Sequence, residues 1–215
     1  MPELNAIGQA TPEGKRMAAI VLFHSALGLR AVEHQAAERM RSAGYDVVMP
    51  DLYAGLTAAS VDDGLDLMSN VGWETICDRA REALLQTSPD AVLAGHSMGA
   101  GVISAVWSER IAAAGIVLLH GLADIPSNVR RHIPVAVHVA DPDAFAQPEH
   151  VADWSASAKR CHVRAEIFTY PGIGHFYTDQ ALPDYDASAA ELTWLRVQAF
   201  LKTITRKTGS GSVIP

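Results

Sequence analysis

A serine between two glycines, a histidine in a glycine-rich stretch and two aspartates flanking a proline are the groups here that could perform covalent chemistry. Gly95-His96-Ser97-Met98-Gly99 follows the apolar run Ala91-Val92-Leu93-Ala94 and precedes the small-residue run Ala100-Gly101-Val102-Ile103-Ser104-Ala105. A strand passing through a sharp turn into a helix would put Ser97 at the apex, with Oγ projecting from the sheet edge. Glycine is needed on both sides because a Cβ would collide with the strand or the opening helix. A hydroxyl is a poor nucleophile until a base takes its proton, and that base needs an acid to orient it. His175, in Tyr170-Pro171-Gly172-Ile173-Gly174-His175-Phe176, is the expected base. Asp141, in Ala140-Asp141-Pro142-Asp143, comes directly off an apolar run and is the expected acid, with Asp143 the alternative on the same loop. The serine spacing alone is weak evidence. The chain order Ser…Asp…His, with each group after an apolar run, is much more specific.

Competing roles exist for most of these residues. The chain has 9 histidines, and His120, closing Leu118-Leu119-His120, is the rival base. His24 is expected to bond loop carbonyls, and the two aspartates could simply shape a turn. A metal held by His24, His120 and His175 has no support, since no H-x-x-x-H or Cys/His cluster is present. No metal or cofactor is expected. An oxyanion hole needs two backbone N–H groups. Met98, at the start of a helix, and Ala26, in His24-Ser25-Ala26-Leu27-Gly28, are the expected donors. Ser25, Leu27, Tyr53, Leu56, Phe176 and Tyr177 flank the same strand ends and are candidates to line a substrate pocket.

The elements that must position these groups are legible as alternating apolar runs and amphipathic stretches, which indicates a mostly parallel α/β sheet with helices on both faces. Strands are expected at Ala18–Phe23, Asp46–Met49, Ala91–Ala94, Gly115–Leu119, Val135–Val139 and Arg164–Thr169. Helices are expected at Arg30–Ala43, Trp73–Gln86, Met98–Arg110, Val151–Arg160 and Ala187–Thr205. A short helix around Val61–Asp66 would flank the sheet. The reading is one domain over 17–205 with six or seven strands and no large cap, preceded by a segment 1–16 with little regular structure and followed by a flexible tail 206–215.

Composition narrows the function further. A chain of 215 residues that is 49% hydrophobic and 19% charged can bury a large core. A net charge of −7, with no basic run outside Lys202, Arg206 and Lys207, argues against nucleic acid or an anionic membrane as partner. Met17–Phe23 is too short to span a bilayer, and the first residues lack a signal pattern. The expectation is a cytoplasmic monomer or homodimer with free thiols at Cys77 and Cys161.

Together, Gly95-His96-Ser97-Met98-Gly99, Asp141, Tyr170-Pro171-Gly172-Ile173-Gly174-His175 and Gly44-Tyr45-Asp46-Val47-Val48-Met49-Pro50-Asp51-Leu52-Tyr53 resemble the dienelactone hydrolase family of α/β-hydrolases. The similarity runs from about Met17 to Leu201. It implies an α/β-hydrolase fold, an uncapped site, no cofactor, and hydrolysis of a small-molecule ester or lactone. Two departures matter. Ser97 stands where well-studied members carry cysteine, and Ser25 stands where they carry a glutamate beside the oxyanion donor. Members also hold a substrate carboxylate with arginines, whereas Tyr53–Val71 has none and several aspartates. A neutral ester or lactone is therefore at least as plausible as an anionic dienelactone. The alternatives are an acyltransferase or lyase using the same residues, or a non-catalytic binding descendant of the fold.

Overall fold

The structure, a computed structural model, describes residues 18–208. Its six strands are β1 (Ala19–Phe23), β2 (Asp46–Val48), β3 (Val92–His96), β4 (Ile116–Leu119), β5 (Pro134–Asp141) and β6 (Arg164–Pro171). They form one parallel sheet in the order β2-β1-β3-β4-β5-β6. The helices are α1 (Ala31–Ser42), α2 (Val61–Val71), α3 (Trp73–Leu85), α4 (Met98–Val106), α5 (Pro148–Arg160) and α6 (Ala187–Thr208).

Side chains along a strand alternate between faces, so each strand feeds two cores. Val21 and Phe23 of β1, Leu93 of β3 and Leu118 of β4 pack with α3, α4 and α5, around Ile76, Ile103, Trp107 and Trp154. Ile20, Leu22, Val92 and Val117 face the other way, against Met40 of α1 and Trp194, Val197 and Phe200 of α6. This double coverage explains why β1, β3 and β4 read as continuous apolar runs.

Element ends differ modestly from the sequence reading. The helix after Ser97 stops at Val106 and continues as a 3-10 turn, Trp107–Glu109. Helix α5 starts at Pro148, a residue suited to a first helical turn because its missing N–H has no partner to lose there. Strands β5 and β6 each run two residues beyond the expected ends, which matters for the site below. The segment 1–16 and the tail from 209 lie outside the described residues, and residues 206–208 are helical. Among the described residues both thiols are free, and no helix is long and apolar enough to cross a membrane. The chain runs from β1 to β2 on one side and then crosses to β3 on the other, so the strand order reverses between β1 and β3. Crevices outside the carboxyl ends at such a reversal are where open α/β sheets bind ligands.

Candidate active site

Ser97 joins β3 to α4 with φ 50° and ψ −107°, a conformation L-residues adopt only when the surroundings enforce it. The enforcement is visible in the flanking glycines. A Cβ on Gly95 would fall on the Gly99 carbonyl group, and one on Gly99 would fall on the Phe23 carbonyl of β1. Ser97 N–H donates to the Leu119 carbonyl at 2.7 Å, tying the turn to β4. We expect Gly99→Ala to lower stability by about 2–3 kcal/mol, since two backbones must separate to admit the methyl group. A melting temperature unchanged from the parent protein would contradict this close approach.

His175 lies beyond β6 and places Nε2 2.9 Å from Ser97 Oγ. Its Nδ1 is 2.7 and 2.8 Å from the two carboxylate oxygens of Asp143. A carboxylate only accepts, so Nδ1 carries the proton and Nε2 is left as the acceptor for the serine O–H. The Asp143 side chain is fully buried and also accepts the Phe145 N–H at 2.9 Å. The structure sets the carboxylate of Asp143, not that of the expected Asp141, against His175. Strand β5 does not end at Val139: Asp141 still pairs with Pro171, and its carbonyl accepts the Gly172 N–H. The chain leaves the sheet only at Pro142, so the first carboxylate carried over the strand end belongs to Asp143.

His120 sits beside this group without joining it. Its ring centroid is 5.9 Å from that of His175, and Nε2 pairs with Thr178 Oγ1 at 2.7 Å. Burial, reinforced by the neighbouring His96 and His175, pushes its pKa well below the usual histidine range. It is a neutral prop under the loop that carries His175. His24 bonds the Ser25 carbonyl through Nδ1 at 2.7 Å and accepts the Leu52 N–H through Nε2 at 3.0 Å. It is a linker between the loops after β1 and β2.

Ser25 to Gly28 form a turn closed by Gly28 N–H on the Ser25 carbonyl at 3.1 Å, with Ala26 at a corner. Ala26, Ser97 and Met98 all line a cleft of about 280 Å³. Met98 opens α4, so its N–H is one of those a helix cannot satisfy internally. His120, Gly121, Leu122, Phe145 and Phe176 also line the cleft, as do Val61, Leu65 and Met68 of α2, Trp73 and Gly101.

Of the expected pocket residues, only Phe176 lines this cleft. Ser25 is buried, and its Oγ accepts the Leu27 N–H. Leu27 is buried beneath α2, and Tyr53 is buried with its hydroxyl on Met98 Sδ at 3.1 Å. Tyr177 is buried against Tyr170, its hydroxyl 2.8 Å from Thr193 Oγ1. Leu56 is exposed on the far side of the turn, where its carbonyl crowds Gly28. These residues build the loops, while the cleft wall comes from α2, whose 61, 65, 68 spacing was the available sequence signal.

A second group escaped the sequence reading. Glu33 of α1 is completely buried. Its Oε1 lies 3.3 Å from both Ser25 N–H and His96 Nδ1, and Oε2 accepts the Arg30 N–H at 3.0 Å. Burial alone would raise its pKa, but the hydrogen bond and charge of His96, with the Arg30 N–H, hold it below the usual carboxylate range. One carboxylate thus links the loop of Ala26, the start of α1 and the residue preceding Ser97. The Arg30 guanidinium in turn pairs with Asp179 at 2.7 Å, fastening α1 to the loop after His175. A glutamate at the third position of a helix reaching back to the cap N–H was the legible hint.

The family model described as Dienelactone hydrolase family matches residues 7–205. No curated protein matches the sequence. Among solved structures, a dienelactone hydrolase-like promiscuous phosphotriesterase from metagenomic libraries is 20% identical, with 89% of each chain covered and a TM-score of 0.71. Est1E from Butyrivibrio proteoclasticus is 16% identical over 90% of each chain, with a TM-score of 0.58. A phospholipase/carboxylesterase from Dyadobacter fermentans DSM 18053 is 16% identical over 87% of this chain and 92% of that one, with a TM-score of 0.54. At these identities the structural likeness speaks for the fold.

Proposed function

The chain belongs to the dienelactone hydrolase family, and from that premise we propose that it is a serine hydrolase of small carboxylic esters or lactones. The observation that carries the reading is the unbroken path from Ser97 Oγ through His175 to Asp143, with contacts of 2.9, 2.7 and 2.8 Å. As Oγ attacks the carbonyl carbon, His175 Nε2 takes its proton, and Asp143 steadies the imidazolium that forms. The Ala26 and Met98 N–H groups hold the tetrahedral oxyanion, aided by the positive end of α4. Collapse expels the alkoxide, which receives the proton from His175. Water, losing a proton to His175, then attacks the acyl-Ser97 ester; the acyl–Oγ bond breaks, His175 returns the proton to Ser97 Oγ, and the carboxylic acid departs. No step calls for a cofactor.

A fluorophosphonate probe tests the nucleophile without requiring the natural substrate. We expect one adduct per chain, on the peptide containing Ser97, read by peptide mass spectrometry. Folded protein that forms no adduct, or one on another serine, would refute the reading.

A further inference from the structure

We propose that the site selects neutral esters with an apolar acyl group and turns away esters whose acyl group carries a carboxylate, with helix α2 as the selecting wall. The inference deepens the hydrolase reading and rests on it. Among the residues lining the cleft there is no Asp, Glu, Lys or Arg. Its polar side-chain groups are the Ser97 hydroxyl, the Trp73 indole N–H and the imidazole of buried His120, whose Nε2 is committed to Thr178. A carboxylate held there would shed water and find no cation, which is strongly unfavourable.

Helix α2 sorts its own residues by face. Val61, Leu65 and Met68, spaced i, i+4, i+7, line the cleft. Asp62, Asp63 and Asp66 are exposed, and the helix has no basic residue. An approaching anion therefore meets acidic side chains outside and hydrocarbon inside.

The wall is also seated firmly. Gly64 lies in mid-helix, an unfavourable place for glycine, and it is buried. A Cβ there would be 2.8 Å from Leu27 Cδ2 and 3.0 Å from the Ala26 carbonyl. Its absence lets α2 rest directly on the turn carrying Ala26, so the apolar face keeps a fixed distance from the oxyanion donors. Leu65, Trp73 and Phe145 line the cleft yet are 38%, 45% and 53% exposed. Large apolar groups left open around one concave site are what an apolar ligand would cover.

The test compares kcat/KM for p-nitrophenyl acetate, butyrate and hemisuccinate, the last two having acyl chains of equal length. Butyrate is expected to exceed acetate by roughly fifteenfold, about fourfold for each added methylene. Hemisuccinate should fall at least about tenfold below butyrate. Leu65→Arg places a cation on the wall and should raise the hemisuccinate-to-butyrate ratio at least about fivefold. Hemisuccinate cleaved as fast as butyrate, or a ratio unmoved by Leu65→Arg in folded protein, would overturn the proposal. In those cases turnover and probe labelling at Ser97 would persist, leaving the hydrolase reading intact. No turnover of any of the three, with no labelling, would overturn both.

Discussion

Ser97→Ala is expected to lower kcat on p-nitrophenyl acetate by about 10⁵- to 10⁶-fold, to the residual level that oxyanion donors and binding alone supply. The bond broken and remade at Ser97 Oγ has no substitute, since alanine at the apex of the turn leaves no oxygen for His175 Nε2 to deprotonate. Asp143→Asn should cost about 10³- to 10⁴-fold. An amide at that position offers an N–H to Nδ1, which favours the tautomer with the proton on Nε2 and leaves no acceptor for the serine. Asp141→Asn is the matching control, with activity expected within about threefold of the parent protein. Its carbonyl still bonds Gly172, and its side chain is not among the groups touching His175. Steady-state rates of the three variants, each checked for folding by melting temperature, decide the matter. Equal losses in Asp141→Asn and Asp143→Asn would mean that the carboxylate at the histidine has been misassigned.

That contrast also shows where sequence reading stops. Ser97 was legible because a sharp strand-to-helix turn dictates residue type: the flanking glycines are imposed by the Phe23 and Gly99 backbones. His175 was legible from its place after the last strand. The two-residue displacement from Asp141 to Asp143 was not, because ladder hydrogen bonds join backbones and are indifferent to side-chain polarity. The strand is expected to end at Val139, whereas pairing continues to Asp141. The positions of the strands along the chain follow the reading closely, since β1, β3 and β4 of the doubly covered sheet are largely apolar runs. The cleft wall was less accessible. Residues adjacent to strand ends in sequence, such as Tyr53 and Tyr177, turned inward to support loops. The wall itself came from α2, whose placement depends on Gly64 meeting Leu27 and Ala26.

Glu33→Gln is expected to cost about 2–4 kcal/mol at neutral pH, because a buried carboxylate satisfied by three donors is replaced by an amide. The amide oxygen can serve part of that set. The amide nitrogen then faces N–H groups of Arg30, Ser25 or His96, and the clash is buried with it. For a domain of this size the drop corresponds to roughly 5–15 °C in melting temperature. The pH dependence identifies the cause. Glu33 has a folded-state pKa held below the ordinary 4.5, so the unfolded chain takes up a proton first as the solution is acidified. The stabilisation is fully present above pH 4.5 and is lost as pH falls through the depressed folded value. The melting-temperature gap between parent and Glu33→Gln should therefore be constant near neutrality and narrow below about pH 4.5. A gap that does not change with pH would mean that the charge contributes nothing. Activity should also fall, by about 100-fold, since Ser25 precedes Ala26, the proposed oxyanion donor, and His96 precedes Ser97, the proposed nucleophile, and small misplacements of either are costly. Loss of stability with kcat retained in the remaining folded fraction would separate the two effects and confine Glu33 to holding α1 in place.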